Sequence, residues 1–185
     1  MPRRELQKKL EALRPRLYRL AWAWCHERDL ADELTQAAYA RALGRLDALR
    51  NEDRLEAWMC AILANLWKDH LRRRQRELER GEPEAFPDRC DESEGDPEVG
   101  VQAHEIVRQV RNAVARLGPD HRMVITLVDL MDMSYADVSR ILDVPAGTVM
   151  SRLSRARAKL KGHLEGFQRG SAGASAQIIP LRRRA

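Results

Sequence analysis

The 185-residue sequence predicts an all-α protein: two small helical domains joined by a flexible acidic linker. Three observations carry that prediction. Apolar residues recur at alternating spacings of three and four, the period of a helix with one buried face. Ala, Leu and Arg abound, aromatics reach only 5%, and Gly and Pro are sparse outside two patches, a mixture that favours helix over sheet. Between Glu79 and Glu98 nine acids and two bases displace the apolar residues, with Gly81, Pro83, Pro87, Gly95 and Pro97 among them. That is linker composition. The divisions are a first domain over 1–78, a linker over 79–103, a second domain over 104–165 and a disordered basic tail over 166–185. The acidic linker also predicts that the two domains fold separately.

In the first domain, Leu6, Leu10, Leu13, Leu17, Leu20 and Trp24 form one helical stripe, with Pro15 as a kink or a late start. Arg28-Asp29-Leu30 marks a break, with Asp29 as the cap. A second helix, ADELTQAAYARAL, runs to about Leu43. Its acids Asp32 and Glu33 lie near the N-terminus, where the helix dipole favours them, and Gln36 lies one turn on, so the three can share an exposed surface. Gly44 to Asp53 is turn-like. A third helix runs from about Arg54 into the seventies, with Leu55, Met59, Ile62, Leu63 and Leu66 on one face and Trp58, Asn65 and Asp69 toward another. Its end carries Lys68, Arg72, Arg73, Arg74 and Arg76, five positive charges within nine residues. A solvated helix end accounts for some of that charge. Five bases beside an asparagine suit a nucleic-acid backbone better. Trp22, Trp58 and Trp67 read as stacking platforms or core, with core the expected role for at least two of them.

In the second domain, Ile106/Val107, Val110, Val114 and Leu117 mark a fourth helix, closed by Gly118-Pro119. Pro119 suits the first position of a fifth helix, which carries Val124, Leu127, Val128 and Met131. Ser134 and Asp137 have the spacing of a capping box, and Val138, Ile141 and Leu142 give a short apolar face. Asp143-Val144-Pro145 stops that helix, and a last one starts near Ala146–Thr148. On it, Val149, Leu153, Ala156 and Leu160 fall on one buried stripe. Thr148, Ser151, Arg152, Arg155 and Lys159 line an adjoining free face, with Arg157 and Lys161 on the far flank. No acid occurs from Val144 to Leu164, against five Lys and Arg. Solvated faces ordinarily mix both signs. A helix anchored on one side, uncompensated and basic on the other, and entered by a short turn is what major-groove reading requires.

The net charge of +5 hides a segregation: the acidic stretch carries −7 and the rest of the chain +12. A basic body points to a polyanionic partner. No run approaches the 18 or so apolar residues of a membrane span, and the N-terminus has no apolar signal core, so no membrane insertion and a cytoplasmic location are expected. Cys25, Cys60 and Cys90 are odd in number and lack a C-x-x-C spacing, which excludes a disulfide framework. No metal site is expected, since Cys25-His26 lacks two further placed ligands. His70, His121 and His163 stand alone. With no Gly-rich phosphate loop and no nucleophile paired with a base, an enzyme, a cofactor and a small-molecule substrate are not expected.

The order of segments resembles a bacterial sigma factor of the extracytoplasmic-function (ECF) group of the sigma-70 family, the small two-domain type. The likeness covers Leu10–Arg76 and Ile106–His163, and its most specific pieces are ADELTQAAYARAL, EAWMCAILANLWKDHLRRR and LGPDHRMVITLVDLMDMSYADVSRILDVPAGTVMSRLSRARAKL. The resemblance implies a σ2-like three-helix bundle and a σ4-like helix-turn-helix domain of a dissociable RNA polymerase subunit. The first domain would dock on core polymerase and open the −10 region, and the second would read the −35 element as duplex. By resemblance, Asn65 and the loop around Arg50–Asp53 form a pocket for a flipped base, with Lys68 and Arg72–Arg74 on the phosphates. Asp32, Glu33 and Gln36 face the polymerase clamp, and an anti-sigma factor is a further partner. The chain departs from the family pattern at Ala37, Cys60-Ala61, Asp143 and Met150. Two other readings of the residues are a stand-alone helix-turn-helix regulator, whose first domain senses a ligand or dimerises through the Leu6–Trp24 stripe, and a helical adaptor for an acidic protein.

Overall fold

The computed structural model describes residues 3–49, 51–80 and 101–170, and every regular element among them is helical. The Leu6–Trp24 stripe is split. Helix α1 (Arg3–Ala12) ends before Leu13, and Pro15 stands in the first turn of α2 (Arg14–Cys25), where its missing N–H costs nothing. Leu10, Leu17, Leu20 and Trp24 are buried while Leu6 and Leu13 pack at the margin. His26 closes α2 in the left-handed region at φ 55°, its N–H donating to the Trp22 carbonyl at 2.8 Å. Helix α3 (Arg28–Leu43) starts one residue before Asp29, so Asp29 lies in its first turn rather than capping it; Glu27 holds the cap position without a side-chain bond. Ala31, Leu34, Thr35, Ala38 and Ala42 form the buried face of α3, its alanines small enough for close approach, and Tyr39 ties α3 to α1 by donating to the Leu10 carbonyl at 2.6 Å.

Two 3-10 turns, Leu46–Ala48 and Glu52–Arg54, lead into α4 (Leu55–Glu79), with Asn51 capping the second by accepting the Asp53 N–H at 2.9 Å. Of the three tryptophans read as platforms or core, only Trp67 is buried; Trp22 and Trp58 are half-buried, and the fully buried indole is that of Trp24.

Helix α5 (Val101–Ala115) begins inside the expected linker. Only part of its apolar stripe is covered: Ala113 and Leu117 are buried, whereas Ile106, Val107 and Val110 are exposed. Pro119 takes the first position of α6 (Pro119–Ile125), and the helix then widens into a π turn over Thr126–Leu130. Helix α7 (Tyr135–Leu142) and α8 (Ala146–Gly170) follow; α8 runs five residues past the expected start of the tail, and 171–185 lie outside the described residues, as does most of the linker.

The helical halves do not stand apart as the linker composition suggests. One hydrophobic core runs through both, from Leu10 to Leu160. The Trp24 indole N–H on α2 donates to the Thr126 hydroxyl on the π turn at 2.7 Å, both groups buried. Arg122 of α6 donates to the Trp24 carbonyl at 2.5 Å and to the carbonyls of Ala115 and Leu117. One guanidinium thereby satisfies the open carbonyl ends of two helices from different halves. Arg16 reaches the Met131 carbonyl at 3.4 Å while pairing with Glu56 at 2.8 Å.

Candidate nucleic-acid interface

Helices α7 and α8 form the helix-turn-helix, and each end of α7 has a chemical cause. Ser134 accepts the Asp137 N–H at 3.1 Å, and its hydroxyl donates to the Asp137 carboxylate at 2.6 Å. That bond, foremost, and Arg140 and Arg54 beside it hold the Asp137 carboxyl below its usual range. At the other end Asp143 takes the left-handed conformation at φ 57°, ψ 51°, the one position in the motif where glycine would be unstrained and Asp is tolerated. The Val144 N–H then reaches back to the Ser139 carbonyl at 3.1 Å, and the Ser139 hydroxyl donates to the Val144 carbonyl at 2.6 Å. These bonds fix the turn into α8.

On α8 the stripe Val149, Leu153, Ala156 and Leu160 is buried as the spacing predicts. Ser151, Arg155 and Lys159 are exposed on the adjoining face; Thr148 and Arg152 are half-buried. The face is less uncompensated than the sequence suggests, because the acids come from other helices. Asp120 of α6 pairs with Arg152 at 2.7 Å, and Asp129 of the π turn takes Arg157 at 2.5 Å. A Cβ added at Gly147 would meet nothing within 4 Å, so no contact inside the protein requires a glycine at the start of this helix.

On α4, Asn65 is exposed, and Lys68, Asp69, Arg72 and Arg76 follow on the same side of the helix. Arg72 pairs with Asp69 at 3.1 Å, and Arg73 lies near Glu77 at 4.0 Å. Arg74 is half-buried and, nine positions on from Asn65, falls on the opposite side of the helix. Lys68 is half-buried and donates to the Leu142 carbonyl of α7 at 2.8 Å. Burial, foremost, lowers its pKa, with Arg72 and Arg152 adding to the shift against Asp143 and Asp120. Asp32, Glu33 and Gln36 are all exposed on one side of α3, well separated in the chain from both basic faces. Arg50 and Cys90 lie outside the described residues.

A groove of about 540 Å³ opens between α2 and α5, with Trp22, His26, Val107, Val110 and Leu130 in its walls and Arg111 stacked over the Trp22 ring at 5.1 Å. The sequence weighed His26 only as half of a metal pair and gave no sign of its place in this groove. Burial, with Arg122 nearby, lowers its pKa to about 4. Cys25 donates to the Glu27 carbonyl and is pushed up to about 11 by burial, and burial raises the Cys60 thiol further; both stay protonated near neutrality and unreactive. Among the described residues no cluster of His, Cys, Asp and Glu could hold a metal, and no helix is long and apolar enough to cross a membrane.

The family profile of sigma-70 region 2 matches residues 10–77, and that of sigma-70 region 4 matches 107–160. The ECF RNA polymerase sigma factor EcfG of Rhodopseudomonas palustris is 35% identical over 136 residues, which cover 74% of this chain and 72% of that protein. The ECF RNA polymerase sigma-E factor of Escherichia coli strain K12 is 31% identical over 131 residues, 68% of this chain and 69% of that one. Among solved structures, the sigma factor RpoE of Bartonella quintana, crystallised with the anti-sigma factor NepR, aligns at a TM-score of 0.74 with 25% identity, over 87% of this chain and 97% of that one. Neither a stand-alone regulator nor an adaptor accounts for regions 2 and 4 in this order. The chain belongs to the extracytoplasmic-function group of the sigma-70 family, non-enzymatic factors that direct RNA polymerase to promoters for transcription initiation.

Proposed function

We propose that the two halves divide promoter recognition between them: α8 reads the −35 element as duplex, and α4 captures and opens the −10 element. The observation that carries this reading is the anchoring of α8. Its buried stripe is fixed in the core, which leaves Ser151, Arg155 and Lys159 facing solvent along one side. A recognition helix needs that rigidity, because base-edge hydrogen bonds tolerate little misplacement. Gly147 supports it, since a bare backbone at the helix start lets a phosphate approach closely.

On α4, Asn65 would hydrogen-bond a flipped base, with Lys68, Arg72 and Arg73 on the backbone of the separated strand; Arg74, half-buried, is the weakest member of the set. Asp32, Glu33 and Gln36 would meet core polymerase. The factor then works in the cytoplasm, where polymerase and promoter are. Run-off transcription with core polymerase on the DNA upstream of its own gene tests the reading. A specific transcript that appears only when both core and this chain are present is the expected result, and promoter binding by the chain without core would refute it.

An anti-sigma factor is a further partner, as it is for the Bartonella quintana protein. The groove beside Trp22 is its candidate seat, since Val107, Val110 and Leu130 are exposed there with Arg19 and Arg111 around them. An amphipathic helix with acidic flanks fits that chemistry.

A further inference from the structure

A histidine from another helix stands beside the basic side of α8. Arg152, Arg155 and Lys159 follow one another at spacings of three and four, so they form one stripe along that helix. The first turn of α6 lies against this stripe, where Asp120 pairs with Arg152 at 2.7 Å. Arg122 turns instead to the carbonyls of Trp24, Ala115 and Leu117, which fixes the start of α6 in place. His121 lies between those two residues, half-buried, with Lys159, Arg152 and Arg155 close enough to act on its charge. Burial, foremost, and then Lys159 hold its imidazole below the usual range, Arg152 and Arg155 adding to the shift and Asp120 opposing it. From α4, Lys68 interacts with the same Asp120 and Arg152, and with Asp143. Arg152 is thus already matched by an acid, whereas Lys159 is exposed beside a neutral imidazole.

We propose that His121 joins Lys159 in holding a phosphate of the −35 duplex, and takes up a proton from solvent as it does so. The proposal rests on the reading of α8 as the −35 helix, and it extends that face onto α6. A phosphodiester is the anion that fits, because a duplex laid along α8 carries a row of them past Lys159. In the free chain the surrounding cations disfavour a charge on His121. A phosphate brought beside it reverses that balance, since a nearby negative charge favours the imidazolium. His121 therefore supplies a phosphate contact on demand, without adding to the repulsion among the cations of the free helix face. A proton bound together with DNA also makes affinity rise as the pH falls, in the range where an imidazole titrates.

Reconstituted holoenzyme and a fluorescein-labelled promoter duplex test it, with affinity measured by anisotropy at pH 8 and pH 6 over a series of salt concentrations. The parent should bind about three-fold or more tightly at pH 6 than at pH 8. Its salt slope should also steepen by about 0.9 at the lower pH, the signature of one more phosphate contact. His121→Gln cannot take the charge, so it should lose that gain and show one slope at both pH values. His121→Arg carries the charge throughout and should show the steeper slope even at pH 8. A low-pH gain that persists in His121→Gln, or a parent slope that ignores pH, overturns the proposal. Weaker binding by His121→Gln with the parent's pH profile would mean a structural role, and overturns it too. Should His121→Gln fail to fold, the slopes of His121→Arg decide alone. Arg155→Ala and Lys159→Ala locate a failure: parent-like binding by both places the fault in the reading of α8, and weakened binding places it in His121.

Discussion

The Trp24 indole N–H donates to the Thr126 hydroxyl across 2.7 Å, and the two residues are 102 positions apart in the chain. The same hydroxyl donates in turn to the Arg122 carbonyl at 2.7 Å within its own helix. The pair is asymmetric. Trp24 has one donor, spent on Thr126, whereas Thr126 retains local carbonyl partners. Thr126→Val should therefore destabilise the chain by about 1–3 kcal/mol, the cost of a buried donor without a partner. Trp24→Phe should cost less at the hydrogen bond but add a packing loss. The double variant should be more stable than the sum of the singles predicts, because it buries no orphaned group. Urea unfolding of all four chains measures the coupling, and strict additivity would mean that the bond contributes nothing.

The interface also sets a pH dependence. His26 has a folded pKa of about 4, below the 6.5 of an unhindered imidazole, because burial and then Arg122 disfavour its charged form. Its contribution to stability is fully present above pH 6.5 and is lost as the pH falls from 6.5 toward 4, since the unfolded chain takes up the proton first. The loss approaches about 1.4 kcal/mol per pH unit in that window. His26→Asn keeps a residue that tolerates the left-handed backbone and removes the titration. Denaturation midpoints of this variant should be flatter between pH 6.5 and 4 than those of the parent. Parallel curves would show that His26 is not the titrating group.

Much of the region 4 half was legible because its determinants are local. The Val149–Leu160 stripe, the Ser134–Asp137 cap and the start at Pro119 each depend on residues within a turn or two of one another. The contact between the halves was not legible. Its members, Arg122, Thr126, Arg54 and Asp137, are polar residues whose partners lie 83 to 102 positions away, and helical periodicity carries no signal for such pairs. The basic face of α8 misled for the same reason: the acid that pairs with Arg152 is on α6. In α5 the periodicity was right and the environment was not, since an apolar stripe predicts burial without saying what supplies it, and the described residues leave Ile106, Val107 and Val110 exposed.

The proposed opening function separates two kinds of residue on α4. Asn65 is exposed and neutral, so Asn65→Ala should leave affinity for core polymerase nearly intact and reduce melting at the −10 element. Arg72→Ala should weaken promoter binding across sequences and lower its salt dependence, as loss of a phosphate contact does. Permanganate reactivity of the melted strand is the measurement. Normal melting by Asn65→Ala would remove that residue from the base pocket.

On α8, the proposed recognition helix, labour should divide along its length. Major-groove helices present their first turns to base edges and later turns to the backbone. Ser151 and Arg155 are exposed in the early part of α8, and Arg155 has an unobstructed reach; Arg152 is held by Asp120, which draws its guanidinium toward α6. Arg155 is thus the better placed of the two arginines for a bidentate contact to guanine, worth about 1–3 kcal/mol of discrimination. Lys159 lies a turn further on and should meet phosphate. Arg155→Ala should relax preference at one −35 position, whereas Lys159→Ala should lower affinity for every promoter variant by a similar factor. Asp120→Asn would release Arg152, and so should raise affinity without changing which base is preferred. A promoter-variant binding series with the reconstituted holoenzyme decides it: base choice set by Lys159, or specificity altered by Asp120→Asn, would mean that α8 enters the groove in a different orientation.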